Sequence, residues 1–524
     1  MKTLSEKLQS SDAFLLGVEL LSTRGSMFES RARKTRDFAT ELAEADHIDW
    51  VSITDNAGGN PMLAPPALGK PILYAGKDVI IHLSCKDFNR NGLESEAWHL
   101  ASEGFHNILA LSGDYPVAGE GGSAKPVFDI DSVGLLTMLT RMNQGLTVHK
   151  RRTGENQQLE KTTFFVGAVA TNFKLHENEV IPQYLKLAKK VECGAQFIIN
   201  QIGYDSRKIH EMKIYMDRHG LADVPLIGNV FLLRGAVARV FHSLKFPGVV
   251  VSEELLRLCE RHEKSPDKGK AFFLELAAKQ LAVYRALGYR GAYLGGIHNS
   301  ADLARILKIE ESFAVDDWKL FAREIRYSRP GEFFLHAEDA ETGLADPDRL
   351  NPEYEESLEA RSPTANVNMS YRMAKLAHGA LFHSGSPLAR LGARLCRDAK
   401  DSQQGPALLR TVEHLSKLAL FDCKDCGDCS LPDIAFLCPE SQCAKNQRNG
   451  PCGGTRDGKC EVDDFECIWA RAYDRLKYEG REQAMLDHAP VIQDQSLRGT
   501  SSWANFWLER DHHTPVDKGT SQDS

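Results

Sequence analysis

The sequence lacks the features of a membrane or nucleic-acid-binding protein. No stretch of its 524 residues reaches the roughly 18 consecutive apolar residues of a membrane-spanning helix. It has no long block of like charge, and 64 Lys and Arg against 72 Asp and Glu give a net charge of −8. Such a surface is poorly suited to nucleic acid or to an anionic membrane, so neither is an expected partner.

Two further absences concern compartment and cofactor. The first residues have no uninterrupted apolar region followed by a small-residue cleavage site, which a secretory signal requires, so we expect a cytoplasmic protein. Because that compartment keeps thiols reduced, its cysteines are expected to bind metal in preference to forming disulfides. No G-x-G-x-x-G strand-turn-helix is present either, which argues against a dedicated nicotinamide-binding domain.

What the sequence does have is one rhythm, a short apolar run followed by a longer stretch of helical period. Eight runs are apolar throughout, as strands buried on both faces of a parallel sheet are. They are FLLGVEL (14–20), WVSIT (50–54), VIIHLSC (79–85), NILALSG (107–113), TFFVGAVA (163–170), AQFIINQ (195–201), VPLIGNV (224–230) and GAYLGGI (291–297). Eight strands alternating with helices predict an α/β protein built on a (β/α)8 TIM barrel.

The rest of the chain changes in composition. We predict the barrel at 1–311, an acidic linker at 312–365, and a smaller cysteine-rich, mostly helical metal-binding domain at 366–487. The polar residues 488–524 are expected to form a disordered tail.

Polar side chains follow most of the predicted strands. Barrel enzymes build their active sites at the carboxyl ends of the strands, so these residues are candidates for a common site. They are Glu19, Thr54 with Asp55, His82, Asp114, Thr171 with Asn172, and Gln201. Taken singly, a structural role is favoured: Glu19 as a salt-bridged strand residue, Asp114 as a turn cap and His82 as a hydrogen-bonded core histidine. Their convergence on one barrel mouth favours a site.

Five segments resemble the methylenetetrahydrofolate reductases, a family of flavin-dependent barrels. The segments are GVELL, WVSIT, IHLSC, ILALSGDYP and KKVECGAQFIINQIGYD, all within residues 12–300. The last is the most specific, since it combines a helix end, a Gly turn and a strand that ends in Gln.

The resemblance implies that FAD lies across the barrel mouth and that a folate substrate stacks on its isoalloxazine ring. Glu19 matches the family's general acid and a substrate contact, Asp114 matches the carboxylate near flavin and pterin, and Gln201 matches a folate-binding amide. The matches to flavin contacts are Thr54, His82, Asp114 and Lys190.

The chemistry requires residue types of this kind. Reduction of 5,10-methylenetetrahydrofolate opens its imidazolidine ring, and the leaving nitrogen needs a proton. A carboxylic acid whose pKa is raised by desolvation can supply that proton near neutral pH. The sequence departs from the family pattern at Ser112, where the family has Arg, at Gln183, where it has Asp, and in AVATNFK (168–174) after the fifth strand.

Eight of the 12 cysteines lie between positions 423 and 467. They are Cys423, Cys426, Cys429, Cys438, Cys443, Cys452, Cys460 and Cys467. Zinc takes four thiolates at a tetrahedral site. An iron–sulfur cluster also takes four, and C-x-x-C-x-x-C with a remote fourth Cys is typical of ferredoxin-like ligation. The tandem spacing favours iron–sulfur slightly over zinc, with reduced structural cysteines as a third interpretation. Eight thiols are enough for two sites, but spacing does not apportion them.

The same stretch resembles a cysteine-rich C-terminal domain that is fused to, or encoded beside, some reductases of this family. The matching segments are CKDCGDC, FLCPESQCAKNQRNGPCGG and DGKCEVDDFECIW. Zinc would make this domain a structural or docking element whose folding depends on metal, whereas a cluster would make it an electron conduit.

Together these features predict a flavin-dependent oxidoreductase that interconverts 5,10-methylenetetrahydrofolate and 5-methyltetrahydrofolate. Its electron donor would be NAD(P)H or a ferredoxin-like protein, and a homo-oligomer is left open. Two alternatives stay open as well: a flavin-free, folate-dependent methyl or methylene transferase, and a scaffold that docks a redox partner.

Overall fold

A closed barrel of eight parallel strands forms the first part of the chain. The structure, a computed structural model, describes residues 2–10, 13–119, 122–150, 153–243, 248–383, 385–398 and 407–514. The barrel strands are β1 (Leu15–Leu20), β2 (Trp50–Ile53), β3 (Asp78–Ser84), β4 (Asn107–Leu111), β5 (Phe165–Ala170), β6 (Phe197–Asn200), β7 (Leu226–Phe231) and β8 (Gly291–Gly295). Each strand pairs with its neighbours in sequence and β8 closes on β1. The predicted TIM barrel is confirmed, with all eight strands in place.

Helices surround the barrel and form most of the C-terminal region. Those of the barrel part are α1 (Leu4–Ser10), α2 (Arg33–Glu44), α3 (Pro66–Tyr74), α4 (Arg90–Ser102), α5 (Ser132–Gln144), α6 (Glu177–Glu192), α7 (Ser206–Arg218), α8 (Gly235–His242), α9 (Glu253–Glu263), α10 (Lys270–Ala286) and α11 (Ser300–Glu311). They are followed by α12 (Asp317–Glu324), α13 (Pro352–Ala360), α14 (Met369–Phe382), α15 (Pro387–Asp398), α16 (Ala407–Phe421), α17 (Pro439–Gln442), α18 (Ile468–Tyr478) and α19 (Ser502–Trp507). Within the described ranges, no helix is long and apolar enough to cross a membrane.

The barrel interior has an apolar floor. Alternate side chains of each strand point inward, and Leu15, Trp50 and Phe197 belong to one buried inner cluster. Leu4 and Leu8 of α1 join the same cluster, so this short helix closes the barrel from below. Gly17 makes room for the indole of Trp50, because a Cβ at Gly17 would lie 1.9 Å from Trp50 Cε2.

The same alternation brings polar side chains to the opposite end. Glu19 is the third inward-facing residue of β1, after Leu15 and Gly17, and His82 and Tyr293 are inward-facing residues of β3 and β8. The strands' carboxyl ends therefore form a polar mouth above an apolar floor.

The long segment between β4 and β5 contains α5 and two short hairpins. The hairpins pair Ala118–Gly119 with Gly122–Ser123 and Thr147–His149 with Asn156–Gln158. Asp131 caps α5, since its Oδ1 accepts hydrogen bonds from the amides of Val133 and Gly134, both at 3.0 Å.

The segment predicted as an acidic linker, 312–365, is largely ordered. It contains α12, α13 and an antiparallel pair of strands, His336–Glu338 and Ala345–Leu350. The amide of His336 donates to Glu211 Oε1 of α7 at 2.8 Å, which fastens this pair to the barrel. The acidic residues of this segment therefore lie mostly on the exposed surface of an ordered, packed structure.

In place of the disorder predicted from 488 onward, the chain is packed as far as Thr514. Residues 502–507 form α19, in which Trp507 is buried and packs on Cys396 of α15. The Asn505 side chain donates to the Gly427 carbonyl at 2.8 Å, so this segment braces the first cysteines. The last ten residues, 515–524, lie outside the described residues.

Candidate active site

Glu19 stands at the mouth at the carboxyl end of β1. Its Oε1 accepts a hydrogen bond from the Tyr293 hydroxyl of β8 at 3.2 Å. Burial raises the pKa of Glu19, and the hydrogen bonds from Tyr293 and the Gly296 amide offset only part of this. Glu19 therefore keeps its proton to higher pH than an exposed Glu, which suits a general acid.

His82 of β3 is a neutral, unpaired imidazole beside this pair. Its ring centroid lies 6.4 Å from that of Tyr293. Burial lowers the pKa of His82 to about 4, so the ring is uncharged at neutral pH. Its Nε2 is buried and has no hydrogen-bond partner among the described residues. A buried ring nitrogen without a partner is available to a ligand.

Asp114 and Thr54 both make contacts that hold the loops of the mouth. Asp114 Oδ2 accepts a hydrogen bond from the Gly58 amide at 2.8 Å, which joins the turns after β4 and β2. Thr54 Oγ1 accepts from the Ser22 amide at 3.4 Å. These two residues therefore shape the mouth through backbone contacts.

Gln201 follows β6 and faces the C-terminal region. Its Oε1 accepts from the Ile202 amide at 2.9 Å. A Cβ at Gly248 would lie 3.2 Å from Gln201 Nε2 and 3.3 Å from the Gly453 carbonyl oxygen, so all three groups meet at one place. The cysteine-rich region thus reaches the rim of the barrel next to Gln201.

The structure does not bring Lys190 into the Glu19 cluster. Its Nζ donates to the Val169 carbonyl at 2.5 Å, between α6 and β5. Burial, together with the neighbouring charge of Lys186, lowers the pKa of Lys190 to about 7.

The eight clustered cysteines divide into two groups of four, each around its own small cavity. Thiol set A consists of Cys423, Cys426, Cys429 and Cys438. Thiol set B consists of Cys443, Cys452, Cys460 and Cys467. Set A is the C-x-x-C-x-x-C run with one remote cysteine, and set B takes the four later thiols.

The spacing of the sulfur atoms bears on which metal they suit. Among the described residues, one group of three or more His, Cys, Asp or Glu side chains has ligand atoms that all lie within 4.8 Å of one another. That group is Asp433, His512 and His513. No three thiols are therefore that close. Tetrahedral zinc, with Zn–S bonds of about 2.3 Å, would hold its sulfurs about 3.8 Å apart. In this arrangement, the sulfurs of both sets are more widely spaced than the ligands of a single tetrahedral zinc ion.

Backbone amides donate to the sulfurs of both sets. The Asp425 amide lies 3.5 Å from Cys423 Sγ, and the Val462 amide lies 3.4 Å from Cys460 Sγ. In set A, the Lys417 ammonium also lies 3.6 Å from Cys429 Sγ. Donors of this kind stabilise thiolate charge and tune a bound metal centre.

Residues 445–448 connect the two sets with the barrel mouth. Lys445 and Gln447 line the cavity of set B, whereas Arg448 lines that of set A. Lys445 forms a buried ion pair with Glu461, and its Nζ donates to the Gly113 carbonyl at 2.8 Å. Lys445 therefore links set B directly to the turn after β4, which carries Asp114.

Two family models match the chain. Residues 28–309, more than half of the sequence, match the model described as methylenetetrahydrofolate reductase. This chain belongs to the methylenetetrahydrofolate reductase family. Residues 406–495 match a second model, described as the C terminal of methylene-tetrahydrofolate reductase. That second match covers both thiol sets, so the resemblances found in the sequence are confirmed for both parts.

Solved structures resemble the barrel only distantly. A protein from Clostridium thermocellum that binds two copies of 5-methyl-5,6,7,8-tetrahydrofolic acid is 12% identical, with a TM-score of 0.42, over 59% of this chain and 97% of its own. A 2,3-dimethylmalate lyase is 12% identical, with a TM-score of 0.33, over 59% and 83%. An oxaloacetate acetylhydrolase is 11% identical, with a TM-score of 0.32, over 58% and 83%. Similarity this low carries no argument about activity.

At each of the three departures from the family pattern, one side chain contacts the cysteine-rich region. The Ser112 hydroxyl donates to Gln447 Oε1 at 3.0 Å, and Gln183 Nε2 donates to the Cys452 carbonyl at 2.8 Å. In AVATNFK, Lys174 Nζ donates to the Gly453 carbonyl at 2.6 Å. Each substituted residue thus binds a segment that a single-domain barrel would not have.

Sequence reasoning missed several of these residues. Tyr293 lies inside the apolar run GAYLGGI, and the available signal was the strand alternation that puts it on the inward face, level with Gly17 of β1. Lys174 and Lys445 carry no local signal, because their roles depend on contacts between segments more than 250 residues apart in the sequence, and Glu461 acts only as the partner of Lys445.

Proposed function

We propose that this protein is a flavin-dependent oxidoreductase that interconverts 5,10-methylenetetrahydrofolate and 5-methyltetrahydrofolate. Membership of the reductase family supports the reaction class. The observation that carries the proposal is the Glu19 carboxyl group, held at the mouth by Tyr293 with its pKa raised by burial. In this role Glu19 donates a proton to the folate nitrogen that leaves when the ring opens.

The mouth has groups that fit a flavin and a pterin. The unpaired Nε2 of His82 is the clearest, since a buried polar atom without a partner is otherwise costly. We propose that His82, Thr54 and Asp114 hold FAD, while Gln201 and Glu19 contact the folate. Bound flavin supplies hydride transfer. Lys190, the remaining proposed flavin contact, would need to release the Val169 carbonyl to reach it.

The thiol sets fit iron–sulfur clusters better than zinc. Their sulfurs are too far apart for one ion, and a cluster spreads its thiolate ligands because its irons occupy separate corners. When bound, such clusters carry single electrons. With set B against the β4 turn and set A beyond residues 445–448, we propose that a ferredoxin-like donor delivers electrons through the sets to the barrel.

The first test separates folate chemistry from electron supply. Protein purified anaerobically and loaded with FAD is mixed with 5-methyltetrahydrofolate, and bleaching of the flavin absorption is followed. The wild type is expected to bleach. Glu19→Gln is expected to bind flavin normally and to bleach roughly 10²–10⁴-fold more slowly, the usual worth of a general acid or base.

Glu44→Gln on the exposed face of α2 is the matched control and should behave as the wild type. Protein that takes up no flavin and does not bleach would overturn the proposal. Folate binding without flavin would then favour the flavin-free transferase, and absence of both would favour a scaffold.

A further inference from the structure

A second group of metal-ligating side chains lies outside both thiol sets. His512 Nε2 lies 3.0 Å from Asp433 Oδ2, and His513 Nε2 lies 3.1 Å from Asp433 Oδ1. Two imidazoles from adjacent residues thus converge on one carboxylate from a loop 79 residues earlier. The three ligand atoms all lie within 4.8 Å of one another.

Each imidazole is oriented from behind by another carboxylate. His512 Nδ1 is paired with Asp428 Oδ1, and His513 Nδ1 lies 3.1 Å from Asp511 Oδ2. A histidine that binds a metal through one ring nitrogen commonly donates the other N–H to a carboxylate, which fixes its tautomer and orientation. Both histidines here have that arrangement, with both Nε2 atoms directed to the same point.

Burial and charge also suit a cation. The side chains of Asp428, Asp433 and Asp511 are at most 5% exposed, and that of His512 is 7% exposed. Three buried carboxylates make this place favourable for positive charge. The His513 side chain is 27% exposed, which leaves the cluster an open side toward solvent.

We propose that Asp433, His512 and His513 form a binding site for one divalent transition-metal ion, with zinc as the representative ion. Imidazole and carboxylate ligands suit Zn²⁺ and its first-row neighbours, and three protein ligands leave a position for water. The bound ion joins residues 511–513 to the loop that carries thiol set A. This site is independent of the proposed function and of whatever fills the thiols.

The test counts metal ions in the full-length protein. Chains with their thiol sites filled are treated with a mild chelator, dialysed against ZnCl₂, and analysed for zinc, iron and labile sulfide. The wild type is expected to hold one more zinc per chain than the His512→Gln/His513→Gln variant, with equal iron and sulfide. Because the comparison is a difference, it holds even if zinc occupies the thiol sets.

Three single variants protect the test against misfolding. His513→Gln changes a partly exposed ring and should lose the ion without leaving a cavity. Asp433→Asn should also lose it, while Asp511→Asn should weaken zinc binding by about 10–100-fold, as expected for a residue that orients a ligand. The exposed His47→Gln is the control and should bind zinc as the wild type does.

Equal zinc in the wild type and in both the double variant and His513→Gln would overturn the proposal. The cluster would then be a network of ion pairs between protonated imidazoles and carboxylates.

Discussion

At the scale of single residues, the barrel mouth depends on a contrast between two buried titratable groups. Burial favours the neutral form of both, so it raises the pKa of the Glu19 carboxyl group and lowers that of the His82 imidazole. The mouth therefore holds a carboxyl group that keeps its proton to higher pH than an exposed Glu, beside an uncharged imidazole. Environments that move two pKa values apart in this way are typical of acid–base sites.

Tyr293→Phe tests the hydrogen bond that tunes Glu19. The Tyr293 hydroxyl lowers the pKa of Glu19, so its removal should raise that pKa further. Folate turnover that needs the protonated carboxyl group falls as pH rises through this pKa. We therefore expect the alkaline limb of the kcat/KM profile to move to higher pH in the variant.

The stability that depends on Glu19 changes with pH in the same direction as folate turnover: both fall as the pH rises. Because the pKa of Glu19 is raised in the folded state, its contribution to stability is complete below the unfolded pKa and is lost as pH rises through the folded one.

Tyr74→Phe on the surface is the control for the Tyr293→Phe experiment and should leave the pH profile of kcat/KM unchanged. A limb at the wild-type pH in Tyr293→Phe would show that Glu19 is not the group that titrates.

At the scale of elements, the segment 445–449 connects three parts of the molecule. Asp131, which caps α5, also accepts a hydrogen bond from the Asn449 amide at 2.8 Å. Lys445 reaches the β4 turn, and Gln447 accepts from Ser112. A single stretch of chain thus contacts both the end of β4 and the start of α5.

Lys445→Met tests the buried ion pair in this segment. Both side chains of the Lys445–Glu461 pair are 5% exposed. Burial opposes the charge of Lys445, but Glu461 and neighbouring anions hold its pKa above the ordinary value. Removing one partner of a buried pair leaves an uncompensated charge and costs about 3–5 kcal/mol.

The measurement is the thermal midpoint of the metal-loaded protein. Lys445→Met should lower it clearly, and Lys445→Met/Glu461→Gln should recover part of the loss. Lys319→Met removes an exposed pair with Asp316 and should cost about 0–1 kcal/mol. A double variant no more stable than the single one would mean that lost packing, not an unpaired Glu461, dominates.

Gly427→Ala tests the turn within thiol set A. Gly427 has a φ of +73°, and a Cβ there would lie 1.8 Å from the Leu497 carbonyl oxygen. Both the left-handed backbone and the close approach require glycine. We expect the variant to lose the metal of set A, about half of the metal in the thiol sets, as measured by elemental analysis.

Gly379→Ala in α14 is the matched control. Apart from its own helix backbone, no heavy atom of the described residues lies within 4 Å of a Cβ at this position, so the variant should keep all its metal and gain about 0.5–1 kcal/mol of stability. Full metal content in Gly427→Ala would show that the Leu497 backbone yields.

At the scale of the whole molecule, the barrel could be predicted from the sequence, whereas its contacts with the segment that carries the thiol sets could not. The eight strands are local apolar runs, and Glu19 and His82 follow from their register. The division of the cysteines depends on how residues 423–467 fold, and contacts such as Ser112 with Gln447 join positions 335 apart. The packed tail had a signal in the aromatic residues of SWANFW, which its polar surroundings concealed.

The last prediction concerns electron flow from a donor through the two thiol sets to the barrel. Cys438→Ser in set A and Cys460→Ser in set B should each lose the metal of one set. Both variants should lose flavin reduction by a ferredoxin-like donor, because the route passes through both sets. In both variants the flavin should still bleach with 5-methyltetrahydrofolate, because Glu19 and His82 are unchanged. The control is Cys259→Ser, at a buried helix position far from both sets in sequence. Donor-driven reduction at the wild-type rate in both variants would instead make the domain structural, with electrons entering at the barrel mouth.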